Sequence, residues 1–539
     1  MRRWHSFLEI VQFPLKTLFV STIFMGLGGL LLNPNLATIV SIDNRWVLTF
    51  AELLRYFGGM MIILFPLLVL IKALSKRYED SVPVYIGIVG YVALHITTMF
   101  FSLGRLQPSA YYPVLGISVD LADIFLPGSG IIYPIQTGII SAVYLINVTR
   151  FCYHRSRKAT DHGLLPFVDK DTWAAIEVIL FSILGGIGIS YLWPFLLQVT
   201  DFVFRFIASD ITNPVNLFFY GVTERILAAL SMSRLIREPF WFGVFGGSWI
   251  DNMGNNFLGD VAVWTAQRAS GIYSLGFGRL ITPYYVLNIF AVPAFLIAAY
   301  QTFTDKINKR RYFSFLLFAI TLSILFGTLL PVEIYMLVAT PLLYVIHLFT
   351  TGLLFATFEA FSVSVGYTYS GLELVATPAS LIDLAIFWRN PMMQRSLTII
   401  LLVGAVMFIF YYFVTRTYYR KIAVDAMNIG IKEKQIQAII EAFGGLNNMR
   451  MAHSSPNRLT ILPYDKSLVD FKRVHLVGLY KIVETRAGYS MAFGSCSYML
   501  RSDLVRRMRQ QQRQLLDNTQ AFEIITDEML AQSSEQKPK

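Results

Sequence analysis

Runs of about twenty apolar residues, most of them closed by a short basic cluster, recur from residue 13 to residue 414, and no other feature restricts the fold of this chain as tightly. A bilayer core of about 30 Å takes about twenty mainly apolar residues per helix, so each run is a candidate crossing. The expected spans are Phe13 to Leu32, Tyr56 to Ile71, Val82 to Leu103, Ile131 to Val148, Trp173 to Val199, Asn216 to Met232, Tyr284 to Tyr300, Tyr312 to Leu330, Ile334 to Thr357 and Thr398 to Val414. With 55% of its 539 residues hydrophobic and only 15% charged, the chain is excluded from the ordinary soluble class. The expected fold is a polytopic α-helical membrane protein of about ten transmembrane helices, with a small soluble domain after them.

The charge pattern supplies the orientation. Lys72, Lys76 and Arg77 form one basic loop cluster, and Arg150, Arg155, Arg157 and Lys158 a second. Lys306, Lys309, Arg310 and Arg311 form a third, and Arg416, Arg420 and Lys421 a fourth. The positive-inside rule puts all of them in the cytoplasm, and Arg2, Arg3 and Lys16 hold the N-terminus there too. The net charge of +11 is thus a matter of topology, and no nucleic-acid partner is expected. The first apolar run lacks a small-residue cleavage motif, so no cleavable signal peptide is expected. Cys152 and Cys496, the two cysteines, have no companion at ligand spacing, so neither a disulfide, a metal nor a cofactor is expected.

Counting crossings between the basic clusters leaves two parity gaps. One lies between Phe240 and Arg279, the other between Thr357 and Thr398, where the weakly apolar stretch Ser362 to Ala385 carries Glu373 and Asp383. Re-entrant elements fill both gaps in this reading, and irregular backbone survives at membrane depth only when buried in protein or lining a cavity. That is the architecture of a transporter core. After residue 421 the composition turns soluble. A linker over 422–430 leads to an α/β domain over 431–500, with an amphipathic helix from Lys432 to Phe443 closed by Gly444. Strands are expected at Arg458 to Leu462, Tyr480 to Val483 and Ser490 to Phe493. The basic tail over 501–539 reads as a solvated helix from Ser502 to Gln520, with Leu504, Met508, Leu515 and Leu516 as a weak stripe, then disorder beyond Met529.

Several segments together resemble one family. Tyr220-Gly221-Val222-Thr223-Glu224-Arg225-Ile226-Leu227, continuing to Ser233-Arg234, is similar in register to Y-G-F-L-N-R-L-L followed by G-L-H-H in the glucose, N-acetylglucosamine and maltose permeases of the bacterial phosphotransferase system. Leu329-Leu330-Pro331-Val332-Glu333-Ile334, with Pro341-Leu342-Leu343-Tyr344-Val345-Ile346-His347 behind it, resembles T-E-P-I-E-F followed by P-L-L-Y-V-I-H. Phe290-Ala291-Val292-Pro293-Ala294 looks like the turn F-G-L-P-A-A, and Ala442-Phe443-Gly444-Gly445 followed by Asn448 like the A-L-G-G-x-x-N opening of the B domain. The resemblance implies a C domain followed by a B domain, a bacterial inner-membrane location, a homodimer, a sugar as solute, and an A-type or regulatory protein as partner of the C-terminal domain.

The departures fall on the chemistry. The resemblance implies a phosphocysteine at Ser455 and histidines at Ser233 and Arg234. It implies a first carboxylate at Leu330, while Glu333 keeps the second. Serine does not ionise usefully at neutral pH without an adjacent base, and His453, in a loop by this reading, is a weak candidate for one. Pro456 has no N–H to offer a phosphate cradle, and Thr460 stands for an arginine, leaving Arg458 as the one cation of the motif.

Glu224, Arg225 and Glu333 are expensive to place in lipid and should face one another or water, as a solute site or as ion pairs that hold the fold. Ser233 keeps a hydroxyl for a sugar. Arg234 either suits an anionic ligand or snorkels to the cytoplasmic edge. His95 and His347, on apolar spans, read as satisfied core residues. Three functions are compatible with these residues: binding or transport of a carbohydrate without phosphorylation; an active phosphotransferase permease with Cys496 as displaced acceptor; or a solute sensor acting through the C-terminal domain.

Overall fold

The computed structural model describes residues 2–33, 44–78, 80–102, 106, 108–120, 130–158, 168–272, 276–302, 306–367, 378–422, 433–454, 458–471, 482–485, 488–493, 497 and 500–514. Ser455, Pro456, Cys496, Glu373, Leu515 and Leu516 lie outside them. The described residues divide into a helical membrane unit and a unit that contains the C-terminal α/β domain.

The membrane unit is built from α1 (Arg2–Leu31, of which Ile10 onward belongs to this unit), α2 (Arg45–Ile63), α3 (Phe65–Arg77, of which the part up to Leu74 belongs to it), α4 (Val82–Phe101), α5 (Ile139–Lys158), α6 (Lys170–Ser209), α7 (Pro214–Ala229) and α8 (Arg234–Trp241). Two short antiparallel pairs intervene, β1 (Val119–Asp120) with β2 (Ile131–Ile132) and β3 (Ser248–Ile250) with β4 (Asn256–Leu258). Then follow α9 (Asp260–Ala269), α10 (Thr282–Thr302, with a π-helical turn at Leu287–Ala291), α11 (Lys306–Phe326), α12 (Leu330–Ala339), α13 (Pro341–Ala360), α14 (Leu381–Trp388) and α15 (Pro391–Ile422). Among the described residues seven helices are long and apolar enough to cross a membrane, and two shorter apolar helices, Tyr312–Phe326 and Leu330–Ala339, add to them. The polytopic helical fold with a small α/β region is as the sequence leads one to expect.

Several expected spans have other bounds, and the cause is local. The run Tyr56 to Ile71 is two helices that part at Leu64, beside Pro66. Pro331 and Pro341 each sit in the first turn of a new helix, where a missing N–H costs nothing, and so divide the apolar stretch from Tyr312 to Thr357 into α11, α12 and α13. Ile131 to Val148 becomes extended backbone up to the start of α5 at Ile139. Trp173 to Val199 is part of the 40-residue α6, which continues through Pro194.

α7 lies along α13, and two glycines set how closely. A Cβ on Gly221 would stand 2.4 Å from the Phe355 ring, and one on Gly352 would stand 2.8 Å from the Phe218 carbonyl. In the first parity gap stand the end of α8, the β3–β4 hairpin and α9; in the second, the buried extended stretch Val363 to Tyr367 and, further on, α14. The extended stretch is buried against protein: Trp264 Nε1 donates to Tyr367 O (3.3 Å) and Tyr285 Oη to Gly366 O (2.7 Å).

The C-terminal domain contains α16 (Glu433–Ala442) and an antiparallel sheet in the order β5 (Met449–Ser454), β6 (Arg458–Pro463), β8 (Gly488–Ala492), β7 (Ile482–Thr485). Gly444, at φ +77°, ends the α16 turn, and Gly445 N–H reaches back to Ile440 O (2.8 Å). Asn448 then ties the helix end to the sheet, donating to Phe443 O and Asp465 O (2.8 Å each) and accepting from Asp465 N (2.7 Å). His453, expected in a loop, lies on β5 opposite Thr460 of β6.

The solvated tail helix is corrected. Residues 500–514 are helical (α17), and Leu500 and Leu504 are fully buried with Ile439, Phe443, Leu459 and Met491. Leu504→Ala is therefore expected to cost the domain about 2–5 kcal/mol. Leu468→Ala, at a residue 54% exposed, should change it by no more than about 0.5 kcal/mol. Hydrogen exchange of the C-terminal domain in the full chain measures both, and equal protection in the two variants would contradict this packing.

Candidate functional site

The charges that the sequence marks as costly meet at one place. Asn213 caps α7 by accepting from Val215 N (2.8 Å), Pro214 occupies the first turn, and the helix ends after Ala229. Ser231, at φ +61°, then reverses the chain, with Met232 N–H bonded to Leu227 O (2.8 Å). The turn brings α8 back beside α7, so that Arg237 Nε donates to Glu224 Oε1 (2.7 Å) across thirteen residues.

Glu224 and Arg225 also form a short bidentate pair, Nε with Oε2 and Nη2 with Oε1. Arg225 Nη1 donates to both oxygens of Glu333 (3.1 and 3.0 Å), and Nη2 to Tyr284 Oη (3.2 Å). His347 Nε2 lies 2.9 Å from Glu333 Oε1, and its Nδ1 lies 2.8 Å from Tyr411 Oη, which in turn contacts Thr350 Oγ1 (2.6 Å). Tyr344 Oη donates to the Arg225 carbonyl (3.1 Å). Glu224, Arg225, Glu333 and His347 are all 0% exposed, and Arg237 is 1% exposed.

Two carboxylates against two guanidinium groups make the cluster electrically neutral while His347 is uncharged. Neutrality is what lets it persist out of water, because an unpaired charge there would cost several kcal/mol. Aromatic rings line it: Arg225 lies 4.9 Å from the Tyr284 ring centre and Arg237 4.7 Å from that of Trp241, whose Nε1 donates to Tyr220 Oη (2.8 Å). A cavity of about 10 Å³ touches Tyr411 among Phe295, Met336, Leu343 and Val414. It is far too small for a sugar.

Of the residues singled out from sequence, Glu224, Arg225 and Glu333 meet directly. Ser233 sits half-buried at the start of α8, and Arg234 points elsewhere, bonded to Glu238 Oε2 (2.5 Å) and stacked 4.9 Å from the Tyr112 ring centre. Leu330 is buried at the start of α12, one turn before Glu333. His95 is satisfied by Tyr91 O (2.8 Å) and Thr137 Oγ1 (3.3 Å), as a core histidine should be. His347 is satisfied too, but by the Glu333 carboxylate at the centre of the cluster. Arg237 escapes a reading of the sequence, although Arg234 and Glu238 are spaced to pair with each other and leave Arg237 on the side of Phe240 and Trp241.

A neutral cluster of buried charges, assembled where apolar helices break, defines this chain as a polytopic membrane permease rather than a set of simple anchors. Residues 8–352, more than half of the chain, match the family model of the phosphotransferase system EIIC component, and the chain belongs to that family. It is thus a membrane subunit of a sugar transporter. Among solved structures, it is similar to the transporter ChbC, the IIC component of the N,N'-diacetylchitobiose-specific phosphotransferase system, at 12% identity and a TM-score of 0.32, over 78% of this chain and 95% of that one.

Proposed function

We propose that the chain is a permease of the glucose, N-acetylglucosamine and maltose type, with a B-like domain after its C domain, that carries a carbohydrate without phosphorylating it. The observation behind this reading is the company of Glu333. The carboxylate is held by Arg225 and His347, and the position one turn before it, where the resembling family has its first carboxylate, is the apolar Leu330. A leucine neither orients nor deprotonates a sugar hydroxyl. In the soluble domain Ser455 stands for the phosphocysteine, Pro456 removes a donor and Thr460 a cation.

The charge balance of the cluster favours an uncharged sugar over an anionic one, since Arg234 is already engaged by Glu238. The basic loop clusters favour an inner-membrane protein with both termini in the cytoplasm, and the family likeness favours a homodimer. Purified chain mixed with phosphorylated general carrier proteins of the system is expected to take up no phosphoryl label, while vesicles holding it admit labelled sugar with no phosphoryl donor present. A phosphoenzyme at Ser455 or Cys496, or sugar phosphate made by cells with this permease alone, would overturn the proposal.

A further inference from the structure

We infer that His347 is the proton-binding site through which this permease couples sugar movement to a transmembrane proton gradient, a proton travelling with each sugar. The inference rests on the non-phosphorylating reading above, because a permease with no phosphoryl relay only equilibrates its solute unless another gradient drives it.

The groups hydrogen-bonded or stacked in one cluster with His347 and Glu333 come from six elements. They are Tyr220, Glu224 and Arg225 of α7, Arg237 and Trp241 of α8, Tyr284 of α10, Glu333 of α12, Tyr344 and Thr350 of α13, and Tyr411 of α15. The four formal charges already cancel in pairs. A carboxylate is an acceptor only, so His347 Nε2 carries the hydrogen that meets Glu333, and Nδ1 is left with a lone pair facing the Tyr411 hydroxyl. That nitrogen is the one basic atom of the cluster that can take a proton without breaking an existing ion pair.

The surrounding hydroxyls can follow such a change. With Nδ1 bare, the Tyr411 hydroxyl donates to it and Thr350 donates to Tyr411. When Nδ1 is protonated, Tyr411 turns its lone pair to the new N–H and donates to Thr350, whose hydroxyl passes to Ile346 O (2.9 Å) or His347 O (3.0 Å). Every N–H and O–H keeps a partner in both arrangements. No bond to carbon changes and no electron moves; a proton enters on one side and leaves on the other. What changes is charge: the cluster passes from neutral to +1, an imbalance that is costly while the site stays closed and so favours its opening to water and sugar, and the imidazolium on Oε1 competes with Arg225, which holds both oxygens of Glu333. Loosened from Arg225, Glu333 becomes available to sugar hydroxyls, so occupancy by a proton and opening to the sugar favour one another.

The test uses the full chain in liposomes carrying an internal pH dye, with radiolabelled glucose, N-acetylglucosamine and maltose as probes. With an interior one pH unit more alkaline than the exterior, at least one of these sugars should accumulate, up to about tenfold over the medium, while the dye reports proton entry. His347→Gln, which keeps a donor for Glu333 but cannot take a proton, should abolish accumulation. Tyr411→Phe, which removes the hydroxyl at Nδ1, should shift the pH profile of gradient-driven uptake. Sugar that merely equilibrates at the same rate with and without the gradient, or accumulation that survives His347→Gln, overturns proton coupling and leaves the non-phosphorylating permease standing. Uptake of none of the three sugars under either condition overturns that reading and this inference with it.

Discussion

Methionine in place of Arg225 is expected to destabilise the membrane unit by about 3–5 kcal/mol, read as a fall in the thermal unfolding midpoint of the detergent-solubilised chain. The reason is arithmetic as much as contact. Arg225 serves both carboxylates, and without it Glu224 keeps Arg237 while Glu333 keeps only His347, so with His347 neutral the buried cluster carries one uncompensated negative charge, and protonating His347 offsets part of the loss at low pH. Methionine fills much of the volume, which separates the charge effect from a cavity. Removing a second charge of the opposite sign should therefore help. The double variant Arg225→Met with Glu333→Leu leaves Glu224 and Arg237 as a balanced pair, and replacing a whole buried ion pair by apolar residues is often neutral. We expect it to recover at least half of the loss. A double variant that unfolds as early as the single one, or earlier, would show that contacts rather than charge balance hold the site.

The same arithmetic marks what the sequence could and could not yield. Apolar runs of the right length and basic loops between them carry the membrane class, because both are local and compositional. Glu224, Arg225 and Glu333 are legible as partners because charges at membrane depth have few other options. His347 is a different case. It lies fourteen residues beyond Glu333, and only the break at Thr340 and Pro341 folds α13 so that the imidazole meets the carboxylate. Hydropathy windows see through that break, just as they merge α2 with α3 across Leu64. Arg237 escapes notice because basic residues close to a presumed cytoplasmic edge are read as snorkelling, which is what Arg234 resembles and Arg237 does not do. In α17 the density of arginines hides a stripe of Leu500, Leu504, Val505 and Met508, whose spacing is helical and whose burial depends on the strands it covers. Asn448 is the reverse: the resembling motif marks it in the sequence, while its role of tying the helix end to the sheet is visible only in its bonds to Phe443 O and Asp465 N.

Alanine in place of Asp260 should rank with Arg225→Met in effect, because this carboxylate holds irregular backbone in place of secondary structure. Its Oδ1 accepts from Gly278 N (3.0 Å) and its Oδ2 from Leu280 N (3.1 Å), and the side chain is fully buried. Alanine would strand both N–H groups away from water at about 1–3 kcal/mol each, so a loss of about 2–6 kcal/mol is expected. Asparagine retains one acceptor and should lose roughly half as much. Between these bonds Gly278, at φ +84°, lies so close to the extended segment that a Cβ there would stand 2.5 Å from Gly366 N, and Gly278→Ala should damage the same junction by another route. The clamp leads directly into α10, where Thr282 Oγ1 lies 3.0 Å from Gly278 O and Tyr284 meets Arg225. Loosening it therefore shifts one wall of the charged cluster, and Asp260→Ala should slow sugar entry into vesicles even at temperatures where the chain remains folded. An Asp260→Ala protein with an unchanged unfolding midpoint and undiminished uptake would mean that the turn from Gly276 to Leu280 is held by Arg279 and Glu359 (2.9 Å) instead, and that the irregular segment is not part of the site's support.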